Sequence, residues 1–154
     1  MTGTKKTTIL IVDNHELFRK ALIRILTDKP AFSVIGEASE GKEAVEKALA
    51  LKPDIILMDI LLPQLDGIAA AQRIRKKLPE TRILFLSVLG DKEHIFQAIQ
   101  MGAAGYLQKD IDAQALFSSL KQALLRKSFV CPTLSEEEII IISERVKEGK
   151  MEYE

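Results

Sequence analysis

Five short apolar runs alternate with segments of helical periodicity, and this alternation constrains the fold more than any single motif. The runs are Thr8–Val12, Phe32–Glu37, Ile55–Met58, Ile83–Ser87 and Gly105–Leu107. Four of them are almost wholly apolar, as expected of strands covered on both faces. Between them, apolar residues recur at spacings of three and four over Leu17–Ile25, Glu43–Leu51, Ile68–Leu78, Glu93–Met101 and Ala113–Leu125. Pro30, Gly41, Pro53, Pro63, Gly67, Pro79 and Gly102 punctuate the joints. Short crossovers of this kind require a parallel sheet with helices on both sides. On the first helix, Leu17, Phe18, Ala21, Leu22 and Ile25 are expected to face the core and Ile23 to point nearly opposite. On the fifth, Leu116, Phe117, Leu120 and Leu124 form the inward stripe and Leu125 points away.

Composition removes several classes. Lys plus Arg and Asp plus Glu number 22 each, so no net field favours nucleic acid or an anionic membrane. The single cysteine, Cys131, cannot form an internal disulfide. No apolar run is long enough to span a bilayer, and the run after Lys5 and Lys6 is too short for a signal peptide. The expectation is a soluble cytoplasmic protein.

Sites in an open parallel sheet form outside the carboxyl ends of its strands. The first run is followed by Asp13 and Asn14, and the third by Asp59, Leu61 and Asp66-Gly67. The fourth ends in Ser87, followed by Val88 and Leu89, and the fifth leads to Lys109. Two carboxylates, an amide, a hydroxyl and an ammonium thus collect on one edge. Carboxylate and amide oxygens suit a hard divalent cation such as Mg²⁺. A lysine and a hydroxyl beside a metal suit a phosphoryl group. Each residue also has a plainer reading. Asn14 and Asp66 are good helix N-caps, Ser87 is an ordinary strand end, and Lys109 a solvated charge. Asp59 is harder to explain this way, because it follows a buried-type strand where an unpaired carboxylate is costly.

Other chemistries fit less well. There is no GxGxxG after a strand and no GxxxxGK[ST]. The turn after the first strand lacks the hydroxyl-rich phosphate loop of a flavodoxin. Neither Asp13 nor Asp59 has the second acid two residues on that a haloacid-dehalogenase-type phosphatase needs. His15 and His94 have no cysteine or second histidine at ligand spacing.

The stretches "ILIVDNHELFRKAL", "PDIILMDILLPQLDG", "ILFLSVLGD" and "GAAGYLQKD" together resemble the receiver domain of two-component response regulators over roughly residues 7–127. Their phrasing is closest to receivers of LuxR-type transcriptional regulators. The resemblance implies a flavodoxin-like doubly wound five-stranded parallel sheet of order 2-1-3-4-5. It makes Asp59 the phosphoacceptor, with Asp13, Asn14, Asp59 and the backbone carbonyl of Leu61 at the Mg²⁺ positions. Ser87 stands at the switch hydroxyl, Lys109 at the phosphate-binding lysine, and Tyr106 at the rotating aromatic, expected to turn inward on phosphorylation. The implied partner is a sensor histidine kinase. The chain would take part only in its own phosphoryl transfer and dephosphorylation and is not expected to be an enzyme otherwise. The alternative is a phosphorylation-independent pseudo-receiver acting as an interaction module. Asn14 replaces the second acid of the usual pair and removes one negative charge from the metal site. Leu61 and Leu89 are expected to shield the phosphoryl group from water.

Residues 1–128 read as the receiver and 129–154 as a tail with one further helix. In "TLSEEEIIIISERVKEGK", Ser135 and Glu138 form a capping box and Gly149 a stop. The tail has no room for a LuxR-type DNA-binding domain, so no DNA binding is expected of this chain as given. A homodimer surface is expected on the first and fifth helices, through Ile23 and Leu125, extended by Ile139, Ile142 and Val146.

Overall fold

A computed structural model describes residues 5–88, 90–125 and 128–149. The elements run β1 (Thr7–Val12), α1 (Glu16–Thr27), β2 (Phe32–Ala38), α2 (Gly41–Leu51), β3 (Ile55–Met58), α3 (Gly67–Lys77), β4 (Arg82–Ser87), α4 (Lys92–Gln100), β5 (Gly105–Gln108), α5 (Ala113–Leu125) and α6 (Glu136–Lys147). The five parallel strands take the order β2-β1-β3-β4-β5, and α6 is the extra C-terminal helix. No described helix is long and apolar enough to cross a membrane. The chain divides between Ile83 and Leu84 into two compact units.

In the first unit β1 is central. It pairs with β2 from Thr7↔Phe32 to Val12↔Ala38, with one irregularity between Ile9 and Leu10. It pairs with β3 from Ile9↔Ile55 to Val12↔Met58. Ile9, Leu10, Ile11, Ile55, Ile56 and Met58 are fully buried. The apolar runs therefore become doubly covered strands, and β1 and β3 end level with each other.

Helix α1 corrects the expected stripe. Its buried residues are Leu22 and Leu26, while Phe18 and Ile23 are half-buried. Leu17 is 79% exposed, and Ala21 and Ile25 are also exposed. The helix is turned by about a quarter turn from the expected orientation. The reason is Leu26: a wheel centred on Leu22 and Leu26 brings Arg19 toward the sheet and leaves Leu17 outside.

In the second unit β4 pairs with β5 from Leu84↔Gly105 to Ser87↔Gln108. On α5 the buried residues are Leu116, Ser119, Leu120 and Ala123, with Phe117 and Leu124 half-buried. Leu125 is 85% exposed, as its position on the wheel predicts. Helix α6 carries the expected capping box between Ser135 and Glu138, and Gly149 has a positive φ of 77° beyond its end. Of its four isoleucines only Ile142 is buried, while Ile140 and Ile141 face solvent. Ile142 is therefore removed from the expected dimer surface, because α6 packs it inward toward α4.

Candidate functional site

The level ends of β1 and β3 put Asp13 and Asp59 side by side in the first unit. The Asp13 N–H donates to Ala38 O at 3.0 Å, and the Asp59 N–H donates to Val12 O at 3.0 Å. Both acids are thus fixed in the ladder by their own backbones. Asp13 is only 2% exposed and Asp59 only 5%. The same local device orients both carboxylates. Asp13 Oδ1 accepts from the His15 N–H at 2.8 Å, and Asp59 Oδ1 accepts from the Leu61 N–H at 3.2 Å. A side chain that bonds the backbone two residues on makes a turn of its own.

Asn14 is exposed and lies one residue before the N-cap of α1, which is His15. The N-cap reading of Asn14 is therefore wrong. Asp13 takes the nearby His15 N–H, and the helix begins one residue later than an Asn14 cap would allow. Asp66 is a cap, accepting from the Ala69 N–H at 2.9 Å. It starts α3 beside Asp59, where Gly67 is obligatory: a Cβ there would lie 2.1 Å from Asp59 O.

Arg19 is a residue that the sequence reading missed. Its guanidinium donates to the Asp13 carbonyl at 2.6 Å and to Glu37 Oε1 at 2.7 Å. Its side chain is only 11% exposed. One cation therefore ties α1 and β2 to the end of β1. The Arg19 hydrogen bond holds the Glu37 carboxyl below its ordinary value, against the opposing effect of burial. The available signal was the spacing of Arg19, Leu22 and Leu26, which share one face.

Asp13 and Asp59 offer two buried carboxylates on adjacent strands. This chemistry fits a hard divalent cation. Among the described residues no group of three or more His, Cys, Asp or Glu could hold a metal. Leu61 is exposed, and Leu89 lies outside the described residues.

In the second unit the structure brings Ser87 and Lys109 together. The Lys109 N–H donates to Ser87 O at 2.9 Å. Ser87 is buried at the end of β4, Lys109 is half-buried just beyond β5, and Val88 is exposed. Tyr106 is 1% exposed, its ring centroid 6.4 Å from that of Phe85. Tyr106 is thus buried beside Phe85. Edge-tilted ring packing of this kind stabilises it.

A five-stranded parallel sheet of order 2-1-3-4-5 defines a flavodoxin-like fold. The chain belongs to the response regulator receiver domain family, which it matches over residues 9–121. It is 33% identical to the transcriptional regulatory protein DegU of Brevibacillus brevis over 96% of this chain and 62% of that protein. It is 35% identical to the nitrate/nitrite response regulator NarL of Escherichia coli K12 over 80% of this chain and 57% of that protein. The chain therefore spans less than two thirds of either regulator's length. Among solved structures it resembles the receiver domain of NarL from Mycobacterium tuberculosis, with TM-score 0.74 and 35% identity over 80% of this chain and 100% of that one. A LuxR-family two-component response regulator from Aurantimonas sp. SI85-9A1 matches with TM-score 0.78 and 27% identity, over 96% of this chain and 100% of that one.

Proposed function

We propose that the chain accepts a phosphoryl group on Asp59 from a phosphohistidine of a sensor kinase and converts its arrival into a changed protein-interaction surface. The observation that carries this reading is the pair of buried acids, Asp13 and Asp59, level on adjacent strands in a receiver-family chain. A carboxylate oxygen of Asp59 forms the bond to phosphorus as the phosphorus–nitrogen bond breaks, and the electron pair returns to the kinase imidazole. Asp13, Asn14, Asp59 and the Leu61 carbonyl would hold Mg²⁺, which when bound supplies positive charge for the phosphoryl oxygens. By the family resemblance, the Lys109 ammonium and the Ser87 hydroxyl would serve as phosphate-binding and switch groups. Their backbones are already joined, so a pull on either moves the ends of both β4 and β5. Leu61 offers a hydrocarbon surface that cannot orient a hydrolytic water.

The second reading, a phosphorylation-independent interaction module in the cytoplasm, is favoured by two features. Asn14 supplies no charge, and Tyr106 is already buried. Acetyl phosphate with Mg²⁺ separates the two. Intact-mass analysis should show one added phosphoryl group on the unaltered chain and none on Asp59→Asn. No addition to either chain would leave the interaction module.

A homodimer through α1 and α5 also belongs to this proposal. Its support is the exposure of Leu17 and Leu125, with Leu17 taking the place expected for Ile23. Sedimentation of Leu17→Glu with Leu125→Glu should show loss of the dimer, and an unchanged profile across concentrations would remove the surface.

A further inference from the structure

The tail runs beside β5, the last strand of the sheet. Val130 forms an isolated parallel bridge with Gly105. Its N–H donates to Ala104 O at 2.9 Å, and its carbonyl accepts from the Tyr106 N–H at 2.9 Å. Helix α6 then packs on α4, with Ile142 buried. Between this tail and α5 an open groove of ≈ 370 Å³ remains. That volume falls within the range of about 300–1,000 Å³ usual for small-molecule sites.

The lining decides what the groove can hold. Phe129, Val130, Leu134 and Ile139 give it apolar walls. The α5 side carries Ser118, Ser119 and Gln122. Gln122 Nε2 donates to Ser118 Oγ at 3.2 Å, so these two side chains serve each other. Ser119 is different. It is only 3% exposed, and its side chain has no hydrogen-bond partner among the described residues. Yet none of those residues has an unpaired side-chain oxygen sealed away from its surroundings. The Ser119 hydroxyl therefore opens onto the groove that it lines. A hydroxyl buried to this degree is costly until something bonds it. Charge narrows the choice further. Among the described residues no cationic side chain lines the groove, and its one carboxylate is that of Glu136. Burial raises the Cys131 thiol above its ordinary value, which keeps it neutral. An anion would find no counter-charge there.

We propose that the groove between α5 and the tail binds a small uncharged aromatic molecule carrying one hydrogen-bonding group, with the Ser119 hydroxyl as its anchor. A slot with a helix on one side and the tail on the other suits a flat body, and the Phe129 ring gives that body an aromatic neighbour. A molecule seated there touches both α5 and the tail and so holds the tail in place by mass action. The site lies wholly within the second unit and stands whether or not Asp59 is phosphorylated.

Indole is the probe for the test. The chain has no tryptophan, so indole emission comes from the probe alone. Titration with the chain should give a saturable shift of that emission to shorter wavelength. Cys131, the only cysteine, lines the same groove, so saturating indole should slow its alkylation by iodoacetamide at least about threefold. Ser119→Ala keeps the space but removes the anchor. It should weaken indole binding about fivefold, the worth of one hydrogen bond, with the far-ultraviolet circular dichroism unchanged. Ala115→Phe fills the groove from the α5 side and should abolish both signals. Indole-3-acetate, the same ring with a carboxylate, should fail to displace indole. The absence of both a saturable shift and protection of Cys131 would overturn the site. A shift that survives both substitutions in folded chains would put the indole elsewhere and overturn it equally. Equal competition by indole-3-acetate would overturn the uncharged class of ligand.

Discussion

The acid pocket at the end of β1 and β3 and the tail contact on β5 are both made at strand backbones, yet they are held in opposite ways. Asp13 and Asp59 are buried, bonded through the ladder, and flanked by a helix whose Gly67 permits no added carbon. The tail is held by one bridge and by one face of α6. A group that must present a nucleophile at a fixed place gains from rigidity. A segment held by so few contacts opens locally at far less cost than global unfolding.

Two glycine substitutions should separate these regimes. Gly67→Ala drives a carbon into the Asp59 carbonyl and the Ile60 backbone, neither of which can retreat. It should cost about 3 kcal/mol and lower Tm by roughly 6–12 °C. Gly105→Ala also meets a carbonyl, that of Val130, but this one can swing away. It should free the tail while changing global stability by less than about 1 kcal/mol. Equal losses in thermal unfolding would erase the distinction.

Arg19→Ala comes next in size. It strips a charge-assisted donor from the Asp13 carbonyl and from Glu37, and should cost about 2 kcal/mol in urea unfolding. Arg19→Lys should recover only part, since one ammonium cannot reproduce the fork that reaches both acceptors. Full recovery by lysine would show that charge alone matters there.

A smaller effect is expected at Asn14. Asn14→Asp adds a carboxylate to an exposed position of the pocket, and should lower the Mg²⁺ needed for half-maximal phosphorylation of Asp59 by about threefold to tenfold. Equal half-saturation in the two chains would remove Asn14 from the cation's surroundings.

The least effect concerns pH. The Glu37 carboxyl is depressed below 4.5 by Arg19, so its contribution is present above that value and is lost as pH falls through its lower folded value. Its side chain is 36% exposed, so solvent screens the pair and the contribution is at most about 1 kcal/mol. Glu37→Gln should flatten the stability–pH curve in that acid window and leave its slope near neutrality unchanged.

Which parts were legible follows from how each is encoded. Ile55–Met58 is a pure apolar run ending in an acid, so both the strand and Asp59 stand out. Helix α6 announces itself through Ser135 and Glu138. The face of α1 did not, because Leu17 and Ile25 imitate a core stripe while lying outside it, and the position of Arg19 depends on which face is chosen. The Val130 contact has no periodic signature at all: one bridged residue leaves no pattern, and its only trace is a glycine in β5. Asn14 invited a local capping explanation, yet the backbone N–H at the start of α1 is bonded to Asp13.

Borohydride reduction after treatment with acetyl phosphate and Mg²⁺ tests the central claim most directly, because it converts an aspartyl phosphate to homoserine that peptide mass spectrometry can locate. Homoserine at position 59, with Asp13 intact, is the result predicted. Homoserine at position 13, or at neither position in a folded chain, would contradict the assignment of Asp59 as the acceptor.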